Sequence, residues 1–308
     1  MKSETEFVEQ LKHQFPVRPP VATGIGDDGA VLMNSDGSQT VIVTDMLLDG
    51  VHFDVANTTP DLVGRKAVAV NLSDLAAMGC GPAAAFISMA VPGLSESGQV
   101  LQGIYRGIHD LSEQFEFTVA GGDTNSWDGP LAVNVCMTGQ PFGDCAILRS
   151  AARPGDSLLV TGALGGSLKS DRHLTFHPRL DVSQLLSTNF DVHAMMDISD
   201  GLGIDLNRMM DASGAGCLLT ADNIPIHDDV PTEWSRQERL NAALSDGEDF
   251  ELLIAVPPEL AESVRRLVQS RGGPALTVIG TVTKEPRCRM IDVLGDESNL
   301  PPSGWQHN

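Results

Sequence analysis

Short β-branched runs alternate with longer segments of helical spacing along the whole chain. Thr40–Thr44 (TVIVT) is bounded by polar residues and predicts a strand. Thr59 and Pro60 suit the N-cap and first position of a helix, and the apolar run that follows carries it to Met78. Ala83–Val91 predicts a buried strand stopped by Pro92-Gly93. Val100, Ile104, Ile108 and Leu111 recur at helical spacing, which predicts a second helix capped at Ser95 and ending near Phe115. Phe117–Ala120 and Leu131–Thr138 are further strand candidates.

Beyond the turn Ala152–Asp156 the mixture repeats. Strands are expected at Leu158–Thr161, Gly216–Thr220, Phe250–Val256 and Leu276–Thr281, with helices at Leu202–Met210 and Pro258–Gln269. This alternation predicts an α/β (α+β) chain of two domains, residues 1–150 and 151–308.

Charge narrows the function classes. Asp and Glu number 41 against 20 Lys and Arg, a net charge of −21. A surplus of that sign argues against nucleic acid and against anionic lipid as partners. No run of about 18 apolar residues is present, and the polar start MKSETEFVEQ resembles no targeting peptide. The five cysteines are scattered and odd in number, which fits free thiols in a reducing cytoplasm.

The informative feature is where the carboxylates fall. Gly24–Asp28 (GIGDD), Thr44-Asp45, Asn71–Asp74 (NLSD), Gly121–Thr124 (GGDT), Asp197–Gly201 (DISDG) and Gly247–Asp249 (GED) are all flanked by apolar runs. Any one of them alone reads better as a turn or a helix cap. Together they place many acids beside buried elements with few cations nearby, and buried carboxylates need neutralising. Magnesium, which prefers carboxylate, water and phosphate oxygens, is the economical counter-charge. Phosphoryl transfer suits such a site, because it needs mainly positioning and charge neutralisation.

Three other motifs fail on context. Gly24–Gly29 spells G-x-G-x-x-G, but Pro19-Pro20 precedes it and a strand-like run follows it. Gly165–Ser170 has its lysine displaced from P-loop spacing. His173 and His177 have zinc-like spacing without the glutamate of H-E-x-x-H, and Pro178 interrupts any helix there, so core or surface histidines are expected. No nucleophile elbow and no activated cysteine is found.

The segments GIGDDGAVL, TDMLLDGVHFD, AVNLSDLAAMG, AGGDTNS, LRSAARPGD, MDISDGLGIDL, SDGEDFELL and the terminal SGW, in this order, resemble the thiamine-monophosphate kinase family. That family lies in the aminoimidazole ribonucleotide synthetase and selenophosphate synthetase superfamily. The resemblance implies a two-domain aminoimidazole ribonucleotide synthetase-like fold whose N-terminal sheets pair in a homodimer. It implies an N-terminal domain for ATP, metal and dimerisation, and a C-terminal domain that completes the active site. ATP would phosphorylate thiamine monophosphate to thiamine diphosphate by direct in-line transfer with several Mg²⁺ ions.

Carried over motif by motif, the resemblance makes Asp28, Thr44, Asp45, Asp74, Asp123, Asp197 and Asp200 metal ligands, with Asp27 nearby. Asp45, Asp123 and Asp200 would act in catalysis. Gly122, Asp123, Arg149, Ser199 and Tyr105 would meet the nucleotide. His52, Glu248 and Trp305 would frame the thiamine moiety, with the Trp305 ring on a cationic aromatic ligand.

Plainer readings stand beside these. Asp74 could face solvent, Tyr105 could be structural, Trp305 a latch for the tail, His52 a satisfied loop histidine, and Arg149 a partner of Asp156. The chain also departs from the family: Val43 precedes Thr44, Asn125-Ser126 replaces a common Thr-Arg, and residues 163–192 are short. Gly165, Gly166, Arg172 and Arg179 are the candidates for replacing lost phosphate contacts. A superfamily ATPase with another acceptor, or a non-catalytic thiamine-phosphate binder, remain the competing functions.

Overall fold

The computed structural model describes residues 4–93, 98–292, 294–300 and 302–305. The first half contains α1 (Glu4–Gln14), β1 (Val21–Thr23), β2 (Ala30–Met33), β3 (Gln39–Leu48), α2 (Pro60–Ala77), β4 (Cys80–Pro92), α3 (Gly98–Phe115), β5 (Thr118–Trp127) and β6 (Ala132–Pro141). The second half contains β7 (Ser157–Thr161), α4 (Leu180–Asn189), β8 (Ala194–Ile198), α5 (Leu202–Ser213), β9 (Gly216–Thr220), α6 (Arg236–Ser245), β10 (Glu251–Val256), α7 (Ala261–Ser270), β11 (Leu276–Thr283), β12 (Cys288–Ile291) and β13 (Glu297–Asn299). The strands form a six-stranded sheet, β1-β2-β3-β6-β4-β5, and a seven-stranded sheet, β13-β12-β9-β11-β7-β10-β8. Each sheet is antiparallel except for one parallel pair, β4–β5 in the first and β12–β9 in the second. This is the mixed α/β fold class expected from the sequence. No helix among the described residues is long and apolar enough to cross a membrane.

Helix α2 lies between the two halves. From Val63 to Ala77 it is buried everywhere except Arg65 and Asp74. A helix that is apolar all round must be covered all round. Here the cover comes from the first sheet on one side and from Phe176, Leu180, Leu186, Met195, Phe250 and Leu252 of the second half on the other, in one continuous core. A second core lies on the far side of the second sheet, beneath α5 and α6. Thr59 sits at the N-cap of α2 as expected, but its side chain makes no capping hydrogen bond. The Ser95 cap lies outside the described residues.

Several elements run longer than their hydrophobic pattern. β3 continues past Thr44 to Leu48 because Asp45 sits opposite Val135 in an unbroken ladder with β6. β5 continues through Gly121–Trp127, with Gly122 opposite Ile87 and Asp123 opposite Ser88. A Cβ at Gly122 would lie 1.8 Å from the Ile87 carbonyl oxygen, so glycine is what lets the two strands approach. β5 is an edge strand and every one of its positions is exposed. The shortened segment still holds a helix, α4, which packs on α2.

Helices α2 and α3 touch backbone to backbone. A Cβ on Gly107 would stand 1.9 Å from the Asp61 carbonyl oxygen, and one on Gly64 would stand 2.0 Å from the Ile104 oxygen. Gly107→Ala should therefore wedge the pair apart and cost about 1–3 kcal/mol. Thermal unfolding should show a lowered midpoint, and an unchanged midpoint would contradict this close approach.

Candidate active site

Five chain segments bring carboxylates together between the two sheets. The tight β1–β2 loop supplies Asp27 and Asp28, β3 supplies Thr44 and Asp45, and the last turns of α2 supply Asp74. The end of β8 supplies Asp197, and the loop into α5 supplies Ser199 and Asp200. Carboxylate oxygens of Asp28, Asp74 and Asp197 all lie within 4.8 Å of one another. Asp45 joins them through a hydrogen bond shared with Asp74. Asp74 is half-buried on the otherwise buried stretch of α2, and it opens onto this cluster rather than lying alone on the surface.

Burial raises the pKa of Asp28, and Arg149 only partly opposes the rise. Burial also raises Asp45, and lifts Asp74 and Asp197 well above the ordinary carboxylate range, with neighbouring carboxylates adding to the effect. Asp28 Oδ2 is buried without a hydrogen-bond partner. Ser73 Oγ donates to Asp197 Oδ2 at 2.6 Å, fixing that side chain. Crowded, dehydrated carboxylate oxygens with an orphaned acceptor fit a hard divalent cation such as Mg²⁺.

Two arginines border the cluster. Arg149 pairs with Asp28, and its Nε lies 3.8 Å from Asp27 Oδ1. Burial beside Asp28 raises Asp27 to about 6 all the same. The alternative pairing of Arg149 with Asp156 does not occur, since Asp156 faces His193 Nδ1 at 2.9 Å. Arg208 bridges Asp200 and Asp205, with Nη1 2.9 Å from Asp205 Oδ1. Asp205 accepts from the backbone N–H groups of Asp200 and Gly201 at 3.0 and 3.1 Å, which fixes the loop that carries Asp200.

Two cavities meet at these acids. The smaller, about 260 Å³, is walled by Met46, Val51, His52, Leu168, Glu248, Phe250 and Trp305. The larger, about 1090 Å³, is walled by the Gly24–Ala30 loop, Thr44, Arg149, Arg208 and the α1 residue Lys12. Asp45, Asp74, Asp197, Ser199 and Asp200 line both. His52 is held by its Nδ1, which accepts the Leu48 N–H at 3.0 Å. Trp305 N donates to the Asp200 carbonyl at 2.9 Å, so the tail docks on the acidic loop while its ring walls the smaller cavity. Phe250 stacks on Phe176 with ring centroids 4.1 Å apart.

Other expected residues stand apart. Gly122 and Asp123 lie on the exposed edge strand β5, and Tyr105 is on α3; none of them lines either cavity. Asp123 bonds locally to Thr124 N at 2.9 Å and Asn125 Nδ2 at 2.7 Å. Arg172 and Arg179 are not aimed at phosphates. Arg172 pairs with Asp229 and buried Asp249 at 2.9 and 3.0 Å, and Arg179 pairs with Glu251. His173 is buried and His177 lies near the surface, 4.0 Å from Asp181. Sequence reasoning missed Lys66, Arg208 and Asp205. For Lys66 the signal was there: a lone lysine inside the apolar run of α2.

Comparison with known proteins follows the same outline. Residues 26–140 match the AIR synthase related protein, N-terminal domain, and residues 153–293 its C-terminal domain. The chain is 39% identical to a thiamine-monophosphate kinase of Rhodopirellula baltica, over 91% of this chain and 89% of that protein. It is 33% identical to that of Bacillus subtilis, over 99% of each. A solved structure of AaThiL complexed with AMPPCP and TMP superposes with a TM-score of 0.84 at 27% identity, covering 99% of this chain and 97% of that one.

The acids also predict a pH response. A carboxyl whose folded pKa is raised stabilises the fold fully below its unfolded pKa of about 4 and loses that contribution as pH rises through the folded value. Without Mg²⁺, the urea midpoint should therefore fall between pH 5 and pH 8, and Asp74→Asn should raise it at pH 8. Adding Mg²⁺ at pH 8 should raise the wild-type midpoint more than that of the variant. A Mg²⁺-free protein that is most stable at pH 8 would contradict the buried cluster.

Proposed function

The chain belongs to the AIR synthase related family and, within it, to the thiamine-monophosphate kinases, and from that premise we propose how its own residues carry the reaction. The protein is a phosphotransferase: ATP phosphorylates thiamine monophosphate to thiamine diphosphate. The observation that supports our reading most is the pair of cavities sharing one wall of aspartates. Two anionic substrates entering from opposite sides would meet across that wall.

In this reading the larger cavity takes the nucleotide and the smaller takes thiamine monophosphate. Asp28, Thr44, Asp45, Asp74, Asp197 and Asp200 hold Mg²⁺. When bound, Mg²⁺ would supply the positive charge that offsets the negative charge building up during transfer. Arg149 and Ser199 contact phosphate oxygens at the shared wall. Asp45 and Asp200 reach both cavities and orient the reacting groups for direct in-line transfer. His52, Glu248 and Trp305 hold the thiamine moiety, with the exposed Trp305 ring set against its cationic ring.

Gly122, Asp123 and Tyr105 enter this scheme through a second copy of the chain. β5 offers a fully exposed edge, a surface that proteins normally cover. A homodimer formed there would bury that edge and bring the GGDT segment, with Asp123 as a further Mg²⁺ ligand acting in catalysis, to a nucleotide site.

The test is incubation of the purified protein with Mg²⁺, ATP and thiamine monophosphate, with detection of thiamine diphosphate and ADP. Asp45→Asn should lower turnover on the order of a hundredfold with an unchanged circular dichroism spectrum. Trp305→Ala should raise KM for thiamine monophosphate more than KM for ATP. ADP without thiamine diphosphate would reject the acceptor, and an Asp45→Asn variant of normal activity would reject the site.

A further inference from the structure

Lys66 is fully buried, on the helix that separates the two halves of the molecule. Its Nζ donates to the His52 carbonyl oxygen at 2.7 Å and to Glu248 Oε2, and lies 2.9 Å from His173 Nδ1. His173 Nδ1 lies 3.1 Å from the same Glu248 oxygen, which closes a triangle of polar groups with the half-buried Glu248 at the cavity wall. Lys66 and His52 come from the first half of the chain, and His173 and Glu248 from the second.

Glu248 is held from every direction. Its φ is +55°, a left-handed conformation uncommon for a side-chain-bearing residue. Its N–H donates to the Ser199 carbonyl oxygen at 2.6 Å, and its carbonyl accepts from Ser167 Oγ at 2.7 Å. Such strain persists only where the surroundings over-determine it, which is typical of functional sites. A buried ion pair adds little net stability compared with apolar groups of similar volume. Stability alone therefore does not account for a lysine in this place.

We propose that Lys66 and His173 are positioning residues for thiamine monophosphate: together they hold Glu248 by Oε2 and leave Oε1 to the smaller cavity. The same ammonium fixes the His52 carbonyl, so one buried cation sets two neighbouring walls of that cavity. Burial acts to raise the pKa of Glu248, but the His173 hydrogen bond and the Lys66 charge outweigh it and keep the carboxyl below its ordinary value. An ionised acceptor is the matching chemistry for a ligand that carries an aminopyrimidine and a thiazolium cation. The inference rests on the kinase reading, in which that cavity receives thiamine monophosphate.

Steady-state kinetics with both substrates varied separates a positioning role from a purely structural one. Lys66→Met should raise KM for thiamine monophosphate about tenfold or more, the equivalent of one charge-assisted hydrogen bond, and leave KM for ATP within about twofold. His173→Leu should show the same split, and His173→Gln, which keeps a donor, should recover most of it. Because Lys66→Met leaves a buried charge unpaired, the double variant Lys66→Met/Glu248→Gln serves as the folded control. Its KM for thiamine monophosphate should exceed that of Glu248→Gln alone by much less than Lys66→Met raises the wild-type value.

Equal shifts in both KM values would overturn the proposal. So would a Lys66 effect that persists undiminished on the Glu248→Gln background. Failure of the wild type to phosphorylate thiamine monophosphate would overturn the kinase reading and the positioning role with it. Normal wild-type turnover without the split would overturn the positioning role alone.

Discussion

Like charges forced together in a poorly hydrated place organise this molecule. Two unit charges about 4 Å apart repel by roughly 4 kcal/mol at an intermediate dielectric. Here the oxygens of Asp28, Asp74 and Asp197 lie within 4.8 Å of one another, and burial beside Asp74, Asp28 and Asp200 raises Asp45 as well. The protein tolerates this arrangement only with the carboxyls partly protonated or with cations among them. Arg149 and Arg208 supply some of that charge from the rim, and a divalent metal would supply the rest. In our proposal the strain falls where the charged substrates meet, which connects the instability of the cluster to the chemistry of the family.

Helix α2 is the structural counterpart of that constraint. Its all-round apolar surface forces it between the two sheets, so whatever it carries is delivered to the seam. Near its C-terminal end it delivers Asp74 to the acids. Two turns earlier it delivers Lys66 to the wall of the smaller cavity, where the ammonium ties His52 to Glu248. One buried helix thus sets both the shared acidic wall and the far side of the smaller cavity. The close α2–α3 contact at Gly64 and Gly107 fixes where that helix sits.

The sequence showed the acidic segments and most regular elements, because apolar periodicity and Asp–Gly punctuation are local properties. Gly216–Thr220 and the span of α2 were legible for that reason. The continuation of β3 through Asp45 and of β5 through Gly122 was not legible, since each depends on a partner strand far along the chain. Arg172 and Arg179 illustrate the same limit. From sequence they were free cations for phosphate, whereas folding commits them to Asp229, Asp249 and Glu251. His173 read from sequence as a core or surface histidine, and its meeting with Lys66, 107 residues away, is a product of tertiary structure alone.

The central claim is that the aspartates between the two cavities act together as a divalent-metal site. Anomalous diffraction from crystals grown with Mn²⁺ and a non-hydrolysable ATP analogue tests it most directly. The account predicts anomalous peaks bounded by Asp28, Asp74 and Asp197, in contact with nucleotide phosphate oxygens. Nucleotide bound with no metal peak among these carboxylates would contradict it.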